Sequence, residues 1–120
     1  MDLGRTLIDV SLLVGLEEGP FYYDSGDPDD DLNHYIDEET IEFLRLGPDL
    51  VRELQGWDQE YQCAFDREDF STAGFASPEV EKVWLERGRK LAGRLKLESP
   101  IIGRVYYRAH GVIPAGDCVF

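Results

Sequence analysis

Between Asp24 and Glu42 the chain carries its densest set of chemically capable side chains, in the order DSGDPDDDLNHYIDEETIE. Aspartates at alternate positions are the pattern of a calcium loop, in which several carboxylates converge on one hard cation. Here Asp27, Asp29 and Asp31 alternate and Glu38 falls twelfth, but Leu32 stands at the sixth position, where the sharp turn needs glycine. Pro28 takes the second position and no helix precedes, so the stretch reads as a solvated acidic loop over residues 24–37 and no metal is expected. Acid/base work by a pair such as Asp30 and Glu38 would need a carboxyl whose pKa burial has raised, and these are too solvated for that. What remains is a docking surface. Asp24, Asp27, Asp29, Asp30, Asp31, Glu38, Glu39 and Glu42 would meet a basic partner, with Tyr22, Tyr23 and Tyr35 as aromatic anchors.

The other reactive residues are scattered. His34 and His110 each stand alone, without HxxxH, HExxH or a cysteine at ligand spacing. Cys63 and Cys118 lie 55 positions apart with no CxxC pattern, which favours neither a zinc site nor a secreted disulfide framework, and Cys63 reads as a core residue. There is no GxSxG, P-loop or GxGxxG sequence. The expectation is a protein that is not an enzyme and needs no cofactor.

Charge narrows the partners further. The net charge is −13, and it is unevenly spread: residues 1–69 hold 20 acids and four bases, residues 70–120 five acids and eight bases. Nucleic-acid backbones and anionic membrane surfaces would be repelled, whereas a basic protein would be attracted. A plain solubilising acidic surface is the competing explanation. The opening MDLGRTLIDVSLLVGL carries Asp9 inside its apolar middle and lacks a strong basic leader, so it is not read as a signal peptide. No run approaches the ~20 apolar residues of a membrane span, and a cytoplasmic location is expected.

These residues must be held by a scaffold, and its elements are legible. A chain of 120 residues with 42% hydrophobic content suits a single domain, 1–120, able to bury its own core. Thr6–Val14 alternates with period two, and the turn-rich Gly15–Pro20 leads to aromatic Phe21, Tyr22 and Tyr23, a hairpin pattern. Asp37 is placed to cap a short helix from Glu38 to Leu46, with Ile41, Leu44 and Phe43 as its inward candidates. Pro48–Phe65 spaces Leu50, Leu54, Trp57, Tyr61 and Phe65 along one helical face, widened by Val51 and Ala64. After a polar connector, Asp66–Ala76, Ser77 and Pro78 open a second long helix to Leu97. Its apolar stripe is Val80, Val83, Trp84, Gly88, Leu91, Ala92 and Leu95, and its basic flank runs from Lys82 through Arg87, Arg89, Lys90 and Arg94 to Lys96. Gly88 and Gly93 inside the helix suggest a close contact with a neighbouring element. Ile101–Ala109 reads as a strand, and residues 110–120 as either a last short strand or a tail. The fold class is α+β: a small antiparallel sheet of the N-terminal hairpin plus the C-terminal strand, with two long helices, paired antiparallel, and one short helix on one face.

Leu50, Leu54, Trp57, Glu60 and Tyr61, then Gly74, Phe75, Ser77, Pro78 and Glu79, then Gly88, Arg89, Leu91, Ala92 and Leu95 form a pattern that resembles small acidic proteins encoded beside polymorphic toxins in actinobacteria. The resemblance covers residues 45–108. It implies a bacterial immunity protein that binds and neutralises a partner toxin, without catalytic residues of its own. Joined to the charge argument, it gives a binding protein that recognises a basic surface and occludes the active site of a toxin such as a nuclease. The alternatives are a structural or regulatory homo-oligomer, formed through an exposed strand edge, and a small ligand-binding domain using the space between sheet and helices.

Overall fold

A computed structural model of the protein describes residues 7–65 and 75–120. Strand β1 (Ile8–Leu13) and strand β2 (Phe21–Tyr22) form the expected antiparallel hairpin, with Ser11 opposite Tyr22 and Leu12 opposite Phe21. A two-residue strand, β3 (Asn33–His34), then pairs back on β2, so the acidic stretch closes a second hairpin. Helices α1 (Glu38–Leu44), α2 (Pro48–Phe65) and α3 (Pro78–Glu98) follow, and β4 (Ile102–Ala109) completes a four-stranded sheet in the order β3-β2-β1-β4.

The α+β class, the three helices and the hairpin with its C-terminal partner strand match the sequence reading, with short β3 added at the edge; the strand directions do not fully match. β4 runs parallel to β1, with Val10 opposite Val105 and Leu12 opposite Tyr107, so the sheet is mixed rather than antiparallel. A parallel neighbour needs a long crossover, and three helices between the hairpins and β4 supply it. Period-two alternation identifies a strand but carries no direction. Residues beyond β4 add to its free edge: Phe120 exchanges backbone hydrogen bonds with Val105 at 2.9 and 3.1 Å, and Tyr107 N–H donates to the Cys118 carbonyl at 2.9 Å. Of the two readings of this segment, the strand-like one describes residues 118–120.

The core lies between one sheet face and the helices. Val10, Leu12, Val105 and Tyr107 project into it, while their sequence neighbours Asp9, Ser11, Arg104 and Tyr106 lie on the other side. Leu50, Leu54 and Trp57 of α2 and Trp84, Leu91, Ala92 and Leu95 of α3 fill the opposite side. Each fully buried leucine contributes about 1.5–3 kcal/mol.

The two long helices meet at a pair of stacked indoles. Trp57 and Trp84 lie 4.4 Å apart between ring centroids at an interplanar angle of 8°. Each ring N–H donates to the other residue's backbone carbonyl, at 2.9 and 2.8 Å, so neither polar tip is stranded in the core. Pairing of Glu60 with Arg87 and of Glu53 with Arg94 along the same seam gives the antiparallel helix pair that the sequence suggested. Gly88 allows the approach: a Cβ there would stand 2.3 Å from both the Trp57 ring and the Tyr107 hydroxyl.

Both expected N-caps are present. The Asp37 carboxylate accepts from the Thr40 amide at 2.9 Å, and the Ser77 hydroxyl accepts from the Val80 amide at 3.1 Å. Buried Ser99, after α3, donates to the Leu44 carbonyl at 2.7 Å and ties the ends of α1 and α3 together. Three details depart from the sequence reading. Cys63 is exposed rather than in the core, because it falls between the positions of the α2 stripe. Val80 and Val83 are 47% and 60% exposed, so the buried stripe of α3 begins at Trp84. Phe43 of α1 turns outward while Thr40 turns in. Most of the connector, residues 66–74, lies outside the described residues, as does Thr6.

Candidate interaction surface

The acidic stretch is held at its base by a compact set of contacts. Asn33 clamps the chain across from Gly19: its side-chain carbonyl accepts from the Gly19 N–H at 3.0 Å and its amide donates to the Gly19 carbonyl at 2.6 Å. No side chain larger than hydrogen fits at Gly19, since a Cβ would lie 2.0 Å from the His34 carbonyl oxygen. Tyr23 N–H donates to the Leu32 carbonyl at 2.9 Å, and the Tyr23 ring stacks on His34 at 3.8 Å and on Phe43 of α1 at 5.3 Å. The hairpin and α1 are therefore fixed to each other through aromatic rings.

Within the hairpin, two aspartates accept from backbone amides and a third from a serine hydroxyl. Asp24 accepts from the Gly26 N–H at 2.8 Å and Asp27 from the Asp29 N–H at 2.9 Å; Ser25 donates to Asp30 at 2.7 Å. Aspartate bonding to an amide two residues on is the local geometry that makes this residue a turn former. Asp29 and Asp31 have no side-chain hydrogen bond or ion pair among the described residues, and neither do Glu38, Glu39 and Glu42. All eight acidic residues singled out from the sequence are exposed, five on the hairpin and three on the adjoining helix.

The three tyrosines divide. Tyr35 is 56% exposed, its hydroxyl donating to the Glu17 carbonyl at 2.8 Å. Tyr22 is half-buried and donates to Glu18 at 2.8 Å; burial and then that carboxylate hold its pKa above the usual phenol value. Tyr23 is only 5% exposed, so it is a core residue beneath the surface rather than an anchor upon it. Burial raises its pKa as well, against a smaller opposing effect of the Thr40 hydroxyl, and it stays protonated.

Among the described residues no three His, Cys, Asp or Glu side chains are placed to hold a metal ion. His34 sits 3.9 Å from Asp30, with its ring nitrogen 3.2 Å from the Tyr23 carbonyl, at the base of the hairpin. His110 is far along the chain, packed edge-on against Trp84, Tyr61 and Phe75, with Glu81 at 3.8 Å. Burial lowers its pKa, and Glu81 offsets part of that effect. No described helix is long and apolar enough to cross a membrane.

Sequence reasoning missed the residues that shape this surface: Asn33, His34, Thr40 and Gly19. A two-residue strand is too short to show alternation, and an asparagine that clamps a hairpin looks the same in sequence as one in a loop.

No curated protein matches the chain. The family model described as Serratia CdiI immunity protein-like matches residues 24–110, from the first aspartate of the hairpin to the histidine after β4. With that match spanning most of its length, the chain belongs to the Serratia CdiI immunity protein-like family of toxin-neutralising binding proteins.

Proposed function

We propose that the protein neutralises its cognate toxin in the cytoplasm by laying the acidic hairpin and α1 over a basic active surface, such as that of a nuclease, without chemistry of its own. The observation that carries this reading is the continuous run of exposed carboxylates from Asp24 to Glu42, mounted on a hairpin fixed by Asn33 and Tyr23. A nuclease holds phosphates with lysine and arginine, and carboxylates fixed in place compete for the same cations. Preorganisation matters here because ordering a loop on binding would cost affinity.

The test is a pull-down from the native cytosol at low and high salt, followed by an activity assay of the retained protein. The reading expects one basic toxin domain, retained more weakly at high salt and inhibited at equimolar amounts. A captured toxin that keeps full activity in the complex, or binding indifferent to salt, would overturn it.

A further inference from the structure

Beside the hairpin base the structure has a cleft of about 840 Å³, lined by Ile8, Phe43, Ile101, Asp24, Glu42 and Arg45 together with Asp9 and the Ser25–Gly26 turn. It joins four parts of the fold: the start of β1, the residue before β4, the first turn of the hairpin and the end of α1. Its apolar lining is Ile8, Phe43 and Ile101, of which Phe43 is 36% exposed. Three carboxylates, Asp9, Asp24 and Glu42, stand around it against one guanidinium, Arg45. Asp9 lies opposite Arg104 in the β1/β4 register, so a cation already stands near it. Asp24 is committed through one oxygen to Gly26, and Glu42 has no side-chain partner among the described residues.

We propose that this cleft receives an arginine side chain of the toxin, flanked by apolar residues. This rests on the immunity reading above and names what anchors the complex. An aliphatic stem suits the isoleucines, a planar guanidinium suits the exposed Phe43 ring, and the terminal N–H groups suit Asp24 and Glu42. The hairpin tip and the cleft then have separate work. Asp29 and Asp31 act at long range and set the rate of encounter, whereas the cleft makes short-range contacts and sets the lifetime.

The experiment is an amide chemical-shift titration of the full chain with the peptide acetyl-Leu-Arg-Leu-amide and with its neutral citrulline counterpart. The arginine peptide is expected to move the amides of Ile8, Gly26, Phe43 and Ile101 saturably, and the citrulline peptide to bind more weakly. Joint substitution Asp24→Asn and Glu42→Gln, which keeps the Gly26 contact available, weakens the arginine peptide about tenfold through loss of two exposed ion pairs. Unchanged dispersion elsewhere in the spectrum shows that the variant is folded. Shifts confined to residues 27–31, equal binding of both peptides, or no saturable shift would each overturn the cleft assignment. Because the titration needs no toxin, saturable cleft binding alongside a captured toxin that keeps full activity in the complex would sink the occlusion reading and leave the cleft standing.

Discussion

Replacing Gly88 with alanine sets two effects of opposite sign against each other. Alanine is the better helix former by about 1 kcal/mol. Against that, the new methyl would lie 2.3 Å from the Trp57 ring and from the Tyr107 hydroxyl, far inside contact distance. Neither neighbour is free to retreat. Trp57 is stacked on Trp84 and bonded to its carbonyl, and Tyr107 donates to the Leu85 carbonyl at 2.7 Å. Overpacking costs about 1–3 kcal/mol, and a displaced Tyr107 hydroxyl adds about 1–3 kcal/mol more, so after the ~1 kcal/mol helix gain the net loss is roughly 1–5 kcal/mol. Gly93, one turn and a half along the same helix, is the control. A Cβ there meets only the Phe120 ring at 3.5 Å, an ordinary contact, so Gly93→Ala stabilises by up to about 1 kcal/mol. Urea unfolding of both variants, followed by tryptophan fluorescence, reads the two signs directly. If Gly88→Ala is as stable as Gly93→Ala, the tight junction of α2, α3 and β4 is wrong.

Asn33→Ala removes both side-chain bonds to Gly19 and costs about 2 kcal/mol locally, seen as faster amide hydrogen exchange across residues 19–34 with little change in α2 or α3. His110 gives a pH signature. Burial places its folded pKa below the ordinary 6.5, so the unfolded chain takes up the proton first. The stability this group confers is therefore full above pH 6.5 and is lost as the pH falls from there through the folded value. His110→Gln should flatten the unfolding midpoint over that window, and a slope identical to the parent's would refute the assignment.

How much of this was legible depended on whether a feature is local. The Ser77 and Asp37 caps, the stripe Leu50–Leu54–Trp57 and the alternation of β1 are written in neighbouring residues, and the structure follows them. The direction of β4 is not local, because it depends on how the chain crosses the helical layer. β3 escaped notice because two residues cannot display a period. The acidic residues were visible by type, but their division into turn-makers such as Asp27 and unpaired groups such as Asp29 depends on backbone geometry. Burial of Tyr23 arises from contacts with His34 and Phe43, which come from different elements.

The most direct measurement of the central claim is the association rate of the toxin domain with the parent chain and with the triple variant Asp29→Lys, Asp30→Lys, Asp31→Lys, taken across ionic strength. Steering by the hairpin predicts association slowed by about tenfold or more at low salt, with the two rates converging as salt is added and the ~10 Å screening length shrinks. An unchanged low-salt rate would contradict the role assigned to the acidic hairpin.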